Sequence, residues 1–245
     1  MRLIDALTLK IRNFNSEIPD YAILSHTWGR EDEEVTLQDL LASPKPSQAR
    51  GFAKIRATCQ RALQDGIHFA WVDTCCIDKT SSAELSEAIN SMYEWYERSK
   101  VCYAFLEDLD PEGQIDASVN SAFKDCQWFR RGWTLQELIA PKKVEFFDKN
   151  WVFRGSREDL GPVISRATFI PVEILSGQQH VFETSAAQRM TWASLRRTTR
   201  KEDEAYCLLG LFGIHMPLLY GEGYSAFRRL QVEIVKSTGD LTILA

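Results

Sequence analysis

Phe69-Ala-Trp-Val-Asp73, residues 81–98 and Val101-Cys-Tyr-Ala-Phe-Leu106 follow one another as apolar run, helical pattern and apolar run. The two outer pieces are short, unbroken apolar runs, the pattern of strands buried on both faces. Between them Leu85, Ala88, Ile89, Met92, Trp95 and Tyr96 recur three and four residues apart, as on one face of a helix. Strand, helix and strand in that order predict a parallel pair joined by a right-handed crossover. Upstream, Tyr21-Ala-Ile-Leu-Ser25 and a helical pattern over residues 47–65, stopped by Gly66, repeat the unit. Downstream, Val144-Glu-Phe-Phe147 predicts a fourth strand. The expectation is an α/β protein with a parallel sheet flanked by helices. From about residue 150 the pattern turns helical, with helices expected over residues 156–166, 185–195, 202–212 and 224–236.

Composition excludes several function classes. The 245 residues are 44% hydrophobic and 26% charged, ordinary for a globular protein, and the net charge of −5 argues against non-specific nucleic-acid binding. The short basic pairs Arg196-Arg197 and Arg228-Arg229 have acidic neighbours and read as solvated faces. Asp5 and Lys10 interrupt any apolar leader. No uncharged apolar run approaches the roughly 18 residues of a membrane span. The six cysteines are scattered, several inside apolar runs, as reduced and buried thiols are. With no C-x-x-C pair, neither a metal nor a cofactor is expected, and the location expected is cytoplasmic.

In a parallel sheet the residues just past the strand ends line the ligand crevice. Here these are Ser25-His26-Thr27-Trp28-Gly29, Asp73-Thr74-Cys75-Cys76 and Glu107-Asp108. The segment Trp128-Phe-Arg-Arg-Gly-Trp-Thr-Leu-Gln-Glu137-Leu138 follows the third strand and brings Glu137 toward the same crevice on the first turns of a helix. Trp133 and Glu137, four apart, share a helix face. The same residues Thr134-Leu-Gln-Glu137 also fit a capping box, in which the carboxylate only satisfies the helix start. Other chemistries are open: Cys75 or Cys76 as a nucleophile with His26 as base, or a cation held by Asp73 and Asp78. Glu84 is a rival carboxylate, read mainly as part of a cap begun at Ser81. The remaining candidate is cleavage at a ribose carbon. There one carboxylate stabilises an oxocarbenium ion, and an indole such as Trp28 or Trp133 stacks on a departing nicotinamide.

Taken together, Tyr21-Ala-Ile-Leu-Ser-His-Thr-Trp-Gly29, Phe69-Ala-Trp-Val-Asp-Thr-Cys-Cys-Ile-Asp-Lys79 and Phe129-Arg-Arg-Gly-Trp-Thr-Leu-Gln-Glu-Leu-Ile-Ala-Pro141 resemble the fungal heterokaryon-incompatibility (HET) domain. The tail segments Glu202-Asp-Glu-Ala-Tyr-Cys-Leu-Leu-Gly-Leu-Phe-Gly213 and Met216-Pro-Leu-Leu-Tyr-Gly-Glu-Gly223 are similar to the ending of its receptor subgroup. The resemblance implies one HET domain over residues 1–245, a core over 1–149 and a mainly helical extension over 150–245. It further implies an effector of programmed cell death in non-self recognition, signalling by self-association, with a NACHT-type receptor module C-terminal to it.

A more distant resemblance is to Toll/interleukin-receptor (TIR) domains, which implies a flavodoxin-like sheet. Tyr21 to Ser25 followed by Gly29-Arg-Glu-Asp32 is similar to their first strand and its R-G-E-D segment, and Gly66-Ile-His-Phe to their second. Trp133-Thr-Leu-Gln-Glu137-Leu138 is similar to the W-C-x-x-E-L motif, with Thr134 in place of cysteine. That motif's glutamate is catalytic in NAD-cleaving TIR domains. The resemblance implies NAD as substrate, Glu137 as the catalytic carboxylate, and Ser25, His26, Trp28, Gly29, Asp73, Arg131 and Trp133 as the pocket. TIR domains also serve as non-enzymatic scaffolds, and that alternative stays open.

Overall fold

A computed structural model describes residues 1–42, 50–113, 115 and 122–244. One seven-stranded sheet organises the chain, with strands β1 (Arg2–Asp5), β2 (Lys10–Asn13), β3 (Tyr21–His26), β4 (Phe69–Trp71), β5 (Val101–Phe105), β6 (Val144–Phe147) and β7 (Phe153–Ser156). Their spatial order is β2-β1-β4-β3-β5-β6-β7. The four expected strands β4, β3, β5 and β6 lie parallel in the centre, in the chain order second, first, third, fourth of flavodoxin-like sheets. Every residue of β3, β5 and β6 is buried, which is why they read as unbroken apolar runs.

The expected first helix is α1 (Arg50–Gln64); positions 47–49 of that expectation lie outside the described residues. It ends as Gly66 requires: Gly66 takes φ +74°, and Ile67 N–H bonds back to Ala62 O at 2.8 Å. The second is α2 (Ser82–Arg98), which buries Ala88, Ile89, Met92 and Tyr96. The short helix α3 (Thr134–Ile139) crosses from β5 toward β6 and packs on α2. The chain therefore runs from β3 outward to β4, then back past β3 to β5. That reversal between β3 and β5 opens a crevice at their carboxyl ends.

Three strands escape the sequence reading. β1 and β2 form an antiparallel hairpin on the β4 edge, and β7 lies antiparallel on the β6 edge. β2 (Lys-Ile-Arg-Asn) is exposed along most of its length and β7 buries only Gly155, so neither carries the apolar alternation that announces a strand. The sheet thus extends past residue 149. The helix expected over 156–166 is corrected to Gly161–Thr168, because Ser156 is still paired to Glu145. The helix expected over 202–212 is two short ones, Asp203–Tyr206 and Leu209–Phe212; the later helices Ala186–Ala193 and Ser225–Thr238 agree to within two residues. Among the described residues no helix is long and apolar enough to cross a membrane.

Candidate active site

A cavity of about 640 Å³ opens at the β3/β5 reversal. That is the size of a small-molecule site. Seven of the eight sequence-predicted site residues line it: His26, Trp28, Gly29, Asp73, Arg131, Trp133 and Glu137. The eighth, Ser25, is fully buried just behind the wall. The stripe of α2 forms the apolar floor, with Leu85, Ile89, Met92 and Tyr96 facing the cavity.

Glu137 is held across the fold rather than by its own helix. Ser25 Oγ donates to Glu137 Oε2 at 2.5 Å and accepts from Trp128 Nε1 at 2.8 Å. Because the indole supplies a proton to the hydroxyl oxygen, Ser25 has its own proton free for the carboxylate. The capping-box reading is thereby corrected. Helix α3 has Trp133 at its cap position with no side-chain cap, and Thr134 Oγ1 instead faces the carbonyl oxygens of Trp128 and Arg131 at 2.5 and 2.9 Å. Trp128 is core, fully buried against Phe129 and Phe146; only Trp133 of the two indoles faces the cavity.

Burial pushes the Glu137 carboxyl up to about 8, and the negative charge of Asp73 adds to the rise. The Ser25 hydrogen bond, the Arg131 charge and the Tyr96 hydroxyl pull the other way. In the free protein at neutral pH, Glu137 is therefore mostly protonated.

The opposite wall is charged and ordered. Trp28 Nε1 donates to Asp73 Oδ2 at 2.8 Å, and Lys79 Nζ stands 3.6 Å above the Trp28 ring, so this indole face already holds a cation. His26 lies between two carboxylates, 3.8 Å from Glu34 Oε2 and 3.9 Å from Asp73 Oδ1. Glu34 accepts from Lys54 Nζ at 2.5 Å and from Gly29 N–H at 2.7 Å. Burial raises its pKa, but His26, Lys54 and Gly29 outweigh it and hold the carboxyl down at about 2. Glu34 thus pins the loop that carries Trp28 and Gly29. Sequence reading missed it inside the acidic run Glu31-Asp-Glu-Glu34, which looks like solvated loop.

The far side is closed by the tail. Asp203, whose carboxyl burial pushes up, accepts from Tyr220 Oη at 2.9 Å, and both line the cavity with Arg200. No sequence spacing links them to Glu137. Their only signal was their place in the two tail segments.

The other chemistries find less. Cys75 and Cys76 are buried behind the cavity wall, and the Cys76 hydrogen bond and burial push the Cys75 thiol far up, against nucleophilic use. All six cysteines are buried and none is in a disulfide. Asp78 turns back onto Thr80 and Gln38, and among the described residues no group of three or more His, Cys, Asp or Glu is placed to hold a metal ion. Glu84 pairs with Arg2 and accepts from Asp78 N–H, while Ser81 caps α2. Arg229 is paired with Glu222, as its acidic neighbours suggested, but Arg196 is not a solvated residue. Its guanidinium donates to Arg131 O and Thr134 Oγ1 at 2.9 and 2.8 Å.

Fold and site together define a doubly wound α/β domain with a buried carboxylate at its switch-point cleft. Residues 21–121 match the family model described as heterokaryon incompatibility protein (HET). The chain is also 48% identical over 236 residues to the vegetative incompatibility protein HET-E-1 of Podospora anserina, a match covering 94% of this chain and 17% of that protein. The chain carries a HET domain, and it spans about a sixth of the length of this relative. No solved structure matches it significantly.

Proposed function

We propose that this domain is an effector of vegetative incompatibility that kills by cleaving NAD at the nicotinamide ribosyl bond. The role is suggested by the relative's name; the chemistry is suggested by Glu137. The observation that carries it is a buried carboxyl facing a cavity of about 640 Å³ and held by Ser25, not by its own helix. A TIR-like ancestry, with Glu137 in the place of the catalytic glutamate, fits the second-first-third-fourth strand order.

In this reading the C1′–N bond breaks heterolytically and its electron pair leaves with nicotinamide. The leaving group departs neutral and needs no proton. A water oxygen then bonds C1′, and its proton passes to Glu137 or to solvent. The products are nicotinamide, ADP-ribose and a proton. The ionised Glu137 stabilises the oxocarbenium ion, and a pyridinium brought beside the carboxyl favours that ionised form. Trp133 is the indole for the leaving ring, since Lys79 covers Trp28.

The test is expression of the domain fused to an oligomerising module in fungal cells. NAD depletion with death in the wild type, and neither in Glu137→Gln, supports the reading. Death with NAD intact overturns it in favour of a scaffold that signals by self-association.

A further inference from the structure

Beside the Glu137 cleft lies a second cavity of about 510 Å³, and its character is different. Two arginine pairs distant in sequence, Arg130-Arg131 and Arg196-Arg197, meet in its wall. Their meeting is enforced by the backbone: Arg197 N–H donates to Arg130 O at 2.6 Å and Gly132 N–H to Arg197 O at 2.9 Å. Gly132 permits the approach, because a Cβ there would lie 2.5 Å from Thr198 Cγ2. The rest of the wall is mostly neutral and polar, including Ser194, Thr198 and Thr199, and among the described residues it contains no carboxylate.

Four arginines on one wall concentrate like charge, and a fold gains nothing from that by itself. Arg131 and Arg196 feel the Glu137 carboxyl of the neighbouring cleft. Among the described residues Arg130 reaches only Asp125, at 3.7 Å and outside the cavity wall. Arg196 Nη2 is buried with no hydrogen-bond partner. An unspent buried N–H on the Arg196 guanidinium, in a wall that three other arginines also line, suits tetrahedral oxyanions, which arginine binds in a two-pronged geometry. The two cavities also touch, since Arg131 and Thr199 line both.

We infer that the arginine-lined cavity is a diphosphate subsite, which holds the pyrophosphate of a dinucleotide whose ribose lies against Glu137. This assignment rests on the reading of the Glu137 cleft as a nucleotide site. It divides the ligand by charge: the cationic, ring-bearing end goes to the carboxylate cleft, and the dianionic middle goes to the arginines. Arg131 sits at the junction and faces both.

Arg196 also braces α3, so the test uses Arg130 and Arg197, whose side chains are exposed. ADP-ribose, inorganic pyrophosphate and nicotinamide riboside are titrated calorimetrically into the wild type, Arg130→Gln/Arg197→Gln and Glu137→Gln, with melting temperatures checking the fold. Pyrophosphate should compete with ADP-ribose. The double arginine variant should weaken both at least tenfold and leave nicotinamide riboside unchanged, while Glu137→Gln should keep pyrophosphate affinity. For NAD turnover the double variant should raise KM at least tenfold with kcat within twofold. Unchanged ADP-ribose affinity in the double variant, or pyrophosphate that does not compete, overturns the subsite. Nicotinamide release with an unshifted KM overturns the subsite and leaves the catalytic reading standing. Arginine-dependent diphosphate binding without any nicotinamide release does the reverse.

Discussion

A buried glutamate beside an aspartate weakens the native state as it ionises. Glu137 is raised from its ordinary value to about 8, so the native protein holds a proton that the unfolded chain has lost. The contribution is fully present below pH 4.5 and is lost as pH rises through 8. Replacing Glu137 with Gln removes this loss. Thermal melts should show the variant more stable than wild type at pH 9 and close to it at pH 4, whereas parallel curves across that range would contradict the assigned protonation. Ser25 supplies the second prediction. Its hydroxyl favours the ionised carboxylate, so Ser25→Ala should move the rising limb of kcat/KM for NAD to higher pH than the wild type's limb near 8. The variant also strips Trp128 Nε1 of its acceptor, at a cost of about 1–3 kcal/mol in stability.

The cleft is assembled by elements whose own sequences are uneven guides to it. Strands β3 to β6 and helices α1 and α2 were legible because burial on both faces, or on one helical stripe, writes itself as apolar periodicity. The edge strands β2 and β7 were not, since an edge strand has little to bury and is kept polar, and β1 buries only Leu3 and Ile4, too short a run to announce a strand. At the site, Ser25, His26 and Asp73 were legible from position, because strand ends at a reversal face the crevice. Glu34 was hidden in a loop-like acidic run, and the Arg130–Arg197 ladder joins segments no local pattern relates. Gly132 is the point where that ladder depends on a missing side chain. Gly132→Ala must push Thr198 and Cys207 Sγ away, at 2.5 and 3.0 Å from the new Cβ. It should cost about 1–3 kcal/mol, read as a lower denaturation midpoint, and should weaken pyrophosphate binding; an unchanged midpoint would mean the ladder has slack.

Across the whole molecule the cleft joins the sheet to the distant tail. Asn90 on α2 grips Met216 through its backbone N–H and carbonyl, at 3.1 and 3.3 Å, which seats the segment bearing Tyr220 and, through it, Asp203. Asn90→Ala should cost about 1–3 kcal/mol and raise KM for NAD while sparing kcat; a melt in which only stability changes would separate the tail from substrate binding. This closure by the tail was the part of the site least readable in advance, because contacts between remote segments follow from packing and not from spacing. The chain covers only 17% of its incompatibility relative. Catalysis is assigned to one carboxylate, that of Glu137. The decisive measurement is nicotinamide release by the self-associated domain at subsaturating NAD across pH 6–9, wild type beside Glu137→Gln. The predicted result is a rate that rises with pH toward a plateau above 8 in the wild type and falls at least a hundredfold in the variant. Equal rates in the two proteins, or no release from the wild type at any pH, would contradict it.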